Sequence, residues 1–175
     1  MKFLITGPPK CGKTTFIKLL FKELSPLKPS GFYTEEIREK GIRVGFALYD
    51  QNFKFCGTLA HINFSTPYKV SKYSVDIKNF EKFLKSFNFR ESKIIIIDEI
   101  GKMEAFSNYF KELIIEILNS DKIFIGTIAQ KGTPFIEEIK KRSDIKIFDL
   151  SFFSKENILK DIKLKILQKG ENFKT

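Results

Sequence analysis

The segment Gly7-Pro8-Pro9-Lys10-Cys11-Gly12-Lys13-Thr14 constrains this chain more than any other part of it. It fits the spacing G-x-x-x-x-G-K-[ST] and stands between two patterned stretches. Before it lies an apolar run, Lys2 to Thr6; after it, Lys13 to Leu24 carries Phe16, Leu19, Leu20 and Leu24 on one helical face. A strand, a glycine-bearing loop and a helix in that order predict a phosphate-binding loop. Gly7 and Gly12 let successive N–H groups turn inward, and the positive end of the following helix adds its dipole.

The remaining pattern extends this unit into an α/β sheet. Apolar strands are expected at Lys93 to Asp98, Ile123 to Thr127 and Ile145 to Leu150. Between them lie helical patterns: Phe106, Phe110, Leu113, Ile114 and Ile117 on one face, a segment from Thr133-Pro134 through Arg142, and a last helix capped by Ser154 with Ile158, Ile162 and Ile166 inward. Asp76 is expected to cap a further helix bearing Ile77, Phe80, Phe83, Leu84 and Phe87, an aromatic stripe read as core packing. From Gly31 to about Ala60 the pattern is instead a meander: Phe32-Tyr33-Thr34, a turn near Glu39-Lys40-Gly41, Val44 to Tyr49, a turn at Asp50-Gln51-Asn52, then Phe55 onward, with one more strand in Tyr68 to Val75. The expectation is a mostly parallel sheet interrupted once by an antiparallel insertion, with a frayed tail from Gly170.

At 175 residues, 42% hydrophobic and 30% charged, the chain is expected to form one globular domain over residues 1–175. The longest aliphatic run, Ile94 to Ile97, is far shorter than the roughly 18 apolar residues of a membrane span. Phe3 to Ile5 leaves no room for a secretory h-region, so the chain is expected to begin at its first strand; a cytoplasmic location, by default from its cysteine usage, and a monomeric state are further expectations. Cys11 and Cys56 form no disulfide framework and no Cys/His cluster with metal spacing exists. The net charge of +10 suggests nucleic acid, but the longest basic run is Lys140-Lys141-Arg142 and most lysines alternate with acids and aromatics, as on solvated faces.

Lys13 is expected to bridge β- and γ-phosphate oxygens, Thr14 to place its hydroxyl on Mg²⁺, and Thr15 to reach the α-phosphate. Lys10 and Cys11 fill free loop positions and are expected to face solvent. The apolar run ending in Asp98-Glu99 delivers acids to the carboxyl end of a strand, where ligands bind in open sheets. Asp98 is assigned to the magnesium and Glu99 to the attacking water's proton. Gly101 permits a turn that folds Lys102 and Glu104 over the γ-phosphate, or the segment is an ordinary surface loop; Thr127 either senses the γ-phosphate or starts a turn. Arg38 and Arg43 flank the inserted turn as candidate charge-stabilising fingers or plain surface residues. With Arg90 and Arg142 they are the only arginines, too few for the lid of a small-nucleotide kinase, so water is favoured as phosphoryl acceptor. His61 is read as structural.

Together with the loop, Gly31-Phe32-Tyr33-Thr34-Glu35-Glu36-Ile37-Arg38, Gly41 and Arg43-Val44-Gly45-Phe46, Asp98-Glu99-Ile100-Gly101-Lys102-Met103-Glu104, and Gly126-Thr127 with Lys131-Gly132-Thr133-Pro134 resemble the THEP-type nucleoside-triphosphatases, which include the cancer-related nucleoside-triphosphatase. The resemblance covers nearly the whole chain. It implies a three-layer, RecA-like P-loop core and a Mg²⁺-dependent hydrolase acting on ATP, GTP, CTP and UTP with broad base tolerance and slow turnover. Where members of that family often carry an Asn-Arg pair near the last helix, this chain has Asn157-Ile158. Two other classes stay open: a nucleic-acid-binding ATPase, and a small-molecule or polynucleotide kinase.

Overall fold

The computed structural model describes residues 1–170; the remainder of the tail expected to fray, 171–175, lies outside the described residues. In chain order the elements are β1 (Lys2–Thr6), α1 (Lys13–Glu23), β2 (Ser30–Glu39), β3 (Ile42–Asp50), β4 (Phe55–His61), β5 (Lys69–Val70), β6 (Tyr73–Val75), α2 (Ile77–Lys85), β7 (Ile94–Ile100), α3 (Asn108–Asn119), β8 (Ile123–Ile128), α4 (Pro134–Lys140), β9 (Ile145–Asp149) and α5 (Lys155–Gln168). All strands join one nine-stranded sheet in the order β5-β6-β4-β3-β2-β7-β8-β1-β9. The run β2-β7-β8-β1-β9 is parallel, and β3, β4, β6 and β5 continue it as the antiparallel insertion.

Strand periodicity divides the core between the two faces. Phe3 and Ile5 of β1, Ile94 and Ile96 of β7, and Ile123 and Ile125 of β8 pack with Phe16, Ile17 and Leu20 of α1 and Ile158, Ile162 and Ile166 of α5. Their neighbours Leu4, Ile95, Ile97 and Phe124 point the other way, onto Phe80 and Leu84 of α2, Phe110 and Ile114 of α3, and Ile136 and Ile139 of α4. Covering both faces of the sheet makes three layers, and explains why β7 reads as an unbroken apolar run.

Several local expectations need correction. Tyr68 to Val75 is not one strand; it turns at Ser71, whose φ is +55°, into the hairpin β5-β6. Phe106 is exposed in a 3₁₀ turn, Glu104–Phe106, because Ser107 caps α3 and starts it later. Helix α4 ends at Lys140, short of Arg142, and Thr133 occupies its N-cap position without a side-chain capping bond. On α1 the inner face is carried by Ile17 and Phe21 as well, while Leu19 is only half-buried.

Candidate active site

The loop after β1 is shaped by backbone that only small side chains tolerate. Gly7 and Gly12 have φ of +151° and +90°, and a Cβ on Gly7 would lie 2.8 Å from Cys11 Sγ. Cys11 is therefore turned in over Gly7 and half-buried, whereas Lys10, at φ +65°, is exposed as expected. A Cβ on Gly12 would collide with Lys155 Nζ, so the first residue of α5 holds its ammonium over the loop. Lys13 Nζ donates to the Gly7 and Pro8 carbonyls at 3.1 and 3.5 Å.

Helix α1 differs from α2, α3 and α5 at its start. Side chains of Asp76, Ser107 and Ser154 cap α2, α3 and α5, but Gly12 gives α1 no side-chain cap and its first turn holds no acid. Its leading N–H groups and positive dipole end are left to a ligand, and the ligand they favour is an anion.

Asp98 is 2% exposed at the end of β7. Strand β8 separates β7 from β1, a gap of about 10 Å between strand axes. Thr127, on that intervening strand, donates its hydroxyl to Asp98 Oδ1, and Thr14 donates from the start of α1 to Oδ2 at 2.6 Å. The Thr34 N–H of β2 donates as well; burial raises the Asp98 pKa, opposed by these donors and by the Lys13 charge.

The next residue points elsewhere. Glu99 is half-buried, and burial, with the Asp98 charge second, pushes its carboxyl up to about 7. Glu104 is 4% exposed, so the surface-loop reading of this segment fails for it. Gly101 lies between the two carboxyls: a Cβ there would be 2.7 Å from Glu104 Oε2 and 2.8 Å from Glu99 Oε1. Burial, and then the Glu99 charge, raises the Glu104 pKa well above the usual carboxyl value.

Two cavities meet at Glu99. The smaller, about 490 Å³, is lined by Lys10, Gly12, Lys13, Thr14, Thr15, Thr34, Asp98 and Glu99, with Glu35, Glu36 and Phe46 at its margin. The larger, about 700 Å³, shares Lys10, Thr34, Phe46 and Glu99 with it and contains Arg38, Arg43, Lys102 and Glu104. Thus Lys13, Thr14, Thr15, Asp98 and Glu99 converge, while Arg38, Arg43 and Lys102 gather next door. Pro8 is exposed, and Pro9 reaches only the larger cavity. Neither Thr34 nor Lys155 was assigned to the site from the sequence: Thr34 stands in the Gly-Phe-Tyr-Thr segment that carries the resemblance, and no spacing signalled Lys155.

A phosphate loop on β1, an acid on β7 and a hydroxyl on the strand between them, in a parallel sheet covered on both faces, define a P-loop NTPase fold. Residues 2–163 match the family described as NTPase, and the chain belongs to it. It is 43% identical to the nucleoside-triphosphatase THEP1 of a Thermotoga species, strain RQ2, over 93% of both chains. To the human cancer-related nucleoside-triphosphatase it is 35% identical over 90% of this chain and 92% of that one. Among solved structures, THEP1 from Aquifex aeolicus superposes with a TM-score of 0.79 at 33% identity, covering 93% of this chain and 96% of that one. The human nucleoside triphosphatase does so with 0.73 at 31% identity, covering 98% and 99%. The chain is a nucleoside-triphosphate hydrolase. Ile158, where the resemblance led one to look for arginine, is fully buried on the inner face of α5.

Proposed function

We propose that this protein is a Mg²⁺-dependent nucleoside-triphosphatase that converts ATP, GTP, CTP and UTP to diphosphate and phosphate, with broad base tolerance and slow turnover. The observation that carries the reading is the convergence, at the uncapped start of α1, of Lys13, Thr14, Asp98 and Glu99 on one pocket. A second metal-free reading of Thr14 and Asp98 is weaker: the pair offers the hydroxyl and carboxylate oxygens that Mg²⁺ takes, alongside phosphate oxygens. Among the described residues no cluster of three or more His, Cys, Asp or Glu could hold a metal unaided, in keeping with an ion held largely by the substrate. Thr14 and Asp98 would hold it there, and bound Mg²⁺ supplies neutralisation of developing phosphate charge.

The chain's own groups do the rest. The loop N–H groups from Lys10 to Thr14 cradle the β- and γ-phosphates, since Pro8 and Pro9 have none to give, and Lys13 leaves the loop carbonyls to bridge their oxygens. Thr15, exposed at the mouth, contacts the α-phosphate. Glu99 accepts the water proton as the water oxygen bonds to the γ-phosphorus and the bridging P–O bond breaks toward the diphosphate. Thr127 orients Asp98, and Lys155 adds a cation above Gly12. Beyond β9, Phe152 is 83% exposed and offers any base a π-face, in line with broad tolerance. The protein is taken to act as a single-domain monomer in the cytoplasm; no helix among the described residues is long and apolar enough to cross a membrane.

Phosphate release from each triphosphate by the purified protein tests this. Lys13→Ala and Glu99→Gln are each expected to lower kcat by about 10²- to 10⁴-fold, and chelation of Mg²⁺ by EDTA to abolish turnover reversibly. Full activity in either variant sinks the site assignment.

A further inference from the structure

The larger cavity lies beside the phosphate pocket and shares Lys10, Thr34, Phe46 and Glu99 with it. It opens from Glu99 toward the inserted strands, between β2, β3 and the β5-β6 hairpin, whereas the exposed turn after β9 lies on the opposite side of the phosphate loop. Its volume, about 700 Å³, falls within the range of small-molecule sites. Phe46, Leu59, Val70 and Met103 give it an apolar wall. Arg43 is fixed inside it: the guanidinium lies 5.2 Å over the Phe46 ring and 5.5 Å over the Tyr73 ring, and Nε donates to the Tyr73 hydroxyl at 2.9 Å. Arg38 joins it through a shared Glu36 carboxylate, at 2.9 and 2.8 Å, so two guanidiniums offset one acid. Arg38 and Arg43, which flank one turn in the sequence, are thus held side by side across β2 and β3.

We propose that this cavity is a second-ligand site for an anionic small molecule with a flat apolar body, of the class of nucleoside monophosphates, and that its occupant takes the γ-phosphoryl group in place of water. The ring lies against Phe46 and the apolar wall, and Arg38 and Arg43 meet the phosphate. A phosphate oxygen of the monophosphate forms a bond to the γ-phosphorus of the triphosphate as the β–γ bridging P–O bond breaks. The electron pair leaves with the donor diphosphate, and the acceptor becomes a second diphosphate. The attacking oxygen is already ionised at neutral pH, so no proton is moved. The proposal rests on the γ-phosphate lying in the smaller cavity as described above.

The test incubates the full chain with γ-labelled ATP and Mg²⁺, alone and with AMP, GMP, CMP or UMP, and separates labelled phosphate from labelled diphosphates. With at least one monophosphate, label is expected in its diphosphate. Val70→Trp and Ala129→Leu, which fill the cavity from two sides, are expected to lower that transfer at least about tenfold while phosphate release without acceptor and the ATP KM stay within about twofold. Melting followed by circular dichroism identifies a variant that has not folded, and the other then decides. Label found only in inorganic phosphate with all four monophosphates overturns this proposal and leaves hydrolysis standing. A raised ATP KM in both folded variants also overturns it, by assigning the cavity to the triphosphate itself. Absence of phosphate release in every condition removes the hydrolase reading first.

Discussion

At the residue scale the informative groups are the carboxyls around Gly101. A general base works in its ionised form, and Glu99 is held near 7 by burial and the Asp98 charge. The kcat/KM profile, which reports the free enzyme, is therefore expected to rise with pH through about 7 and to lose that limb in Glu99→Gln. Glu104 makes a separate prediction about stability. Its folded pKa is raised, so between the unfolded value of 4.5 and the folded one the native chain holds a proton that the unfolded chain has released. Stability from this group is present at low pH and is lost as pH rises through the folded pKa. The urea midpoint of nucleotide-free protein should fall from about pH 5 to pH 8, and fall less in Glu104→Gln. An equal fall in both would show that Glu104 is not the group responsible.

At the scale of elements, the parallel core and the insertion are joined at one tight contact. Ser30 to Phe32 of β2 pair with Ile95 to Ile97 of β7, and a Cβ on Gly31, at φ +149°, would overlap the Ile96 carbonyl. Backbone cannot yield as a side-chain tip does, so Gly31→Ala is expected to destabilise the fold by about 3 kcal/mol, read from the urea midpoint. Loss of this register would also displace Thr34, whose N–H holds Asp98. The strand-loop-helix unit and the acidic end of β7 were legible in the sequence because each is local: periodicity and a fixed spacing report a face or a turn within one segment. The meeting of Arg43 with Tyr73, and of Lys155 with Gly12, was not, since sheet order brings them together and no residue nearby announces it. Phe106 misled for a related reason. Its spacing extends the α3 stripe backwards, but Ser107 takes the N-cap and its side chain accepts from the Phe110 N–H, which settles where the helix starts.

Over the whole molecule the net charge of +10 divides into parts with different work. Lys10 and Lys13 line the phosphate pocket and Lys155 sits above the loop, where a polyanionic nucleotide meets them. Lys2 is buried and donates to the Ile117, Ser120 and Lys122 carbonyls at 2.9, 2.9 and 2.7 Å, closing the end of α3 rather than facing any partner. Four other basic residues pair with acids and so add nothing to the net charge: Lys18 with Glu35, Arg142 with Asp144, Lys146 with Asp161, and Lys163 with Glu23. Such half-exposed pairs add little stability. A nucleic-acid grip would need several free cations on one track, each releasing counterions and steepening the salt dependence. Phosphate release at about 0.15 M salt is therefore expected to change less than about twofold when single-stranded RNA or duplex DNA is added. Stimulation of about tenfold or more that collapses with salt would reverse that assignment and make the lysine-rich surface part of the mechanism.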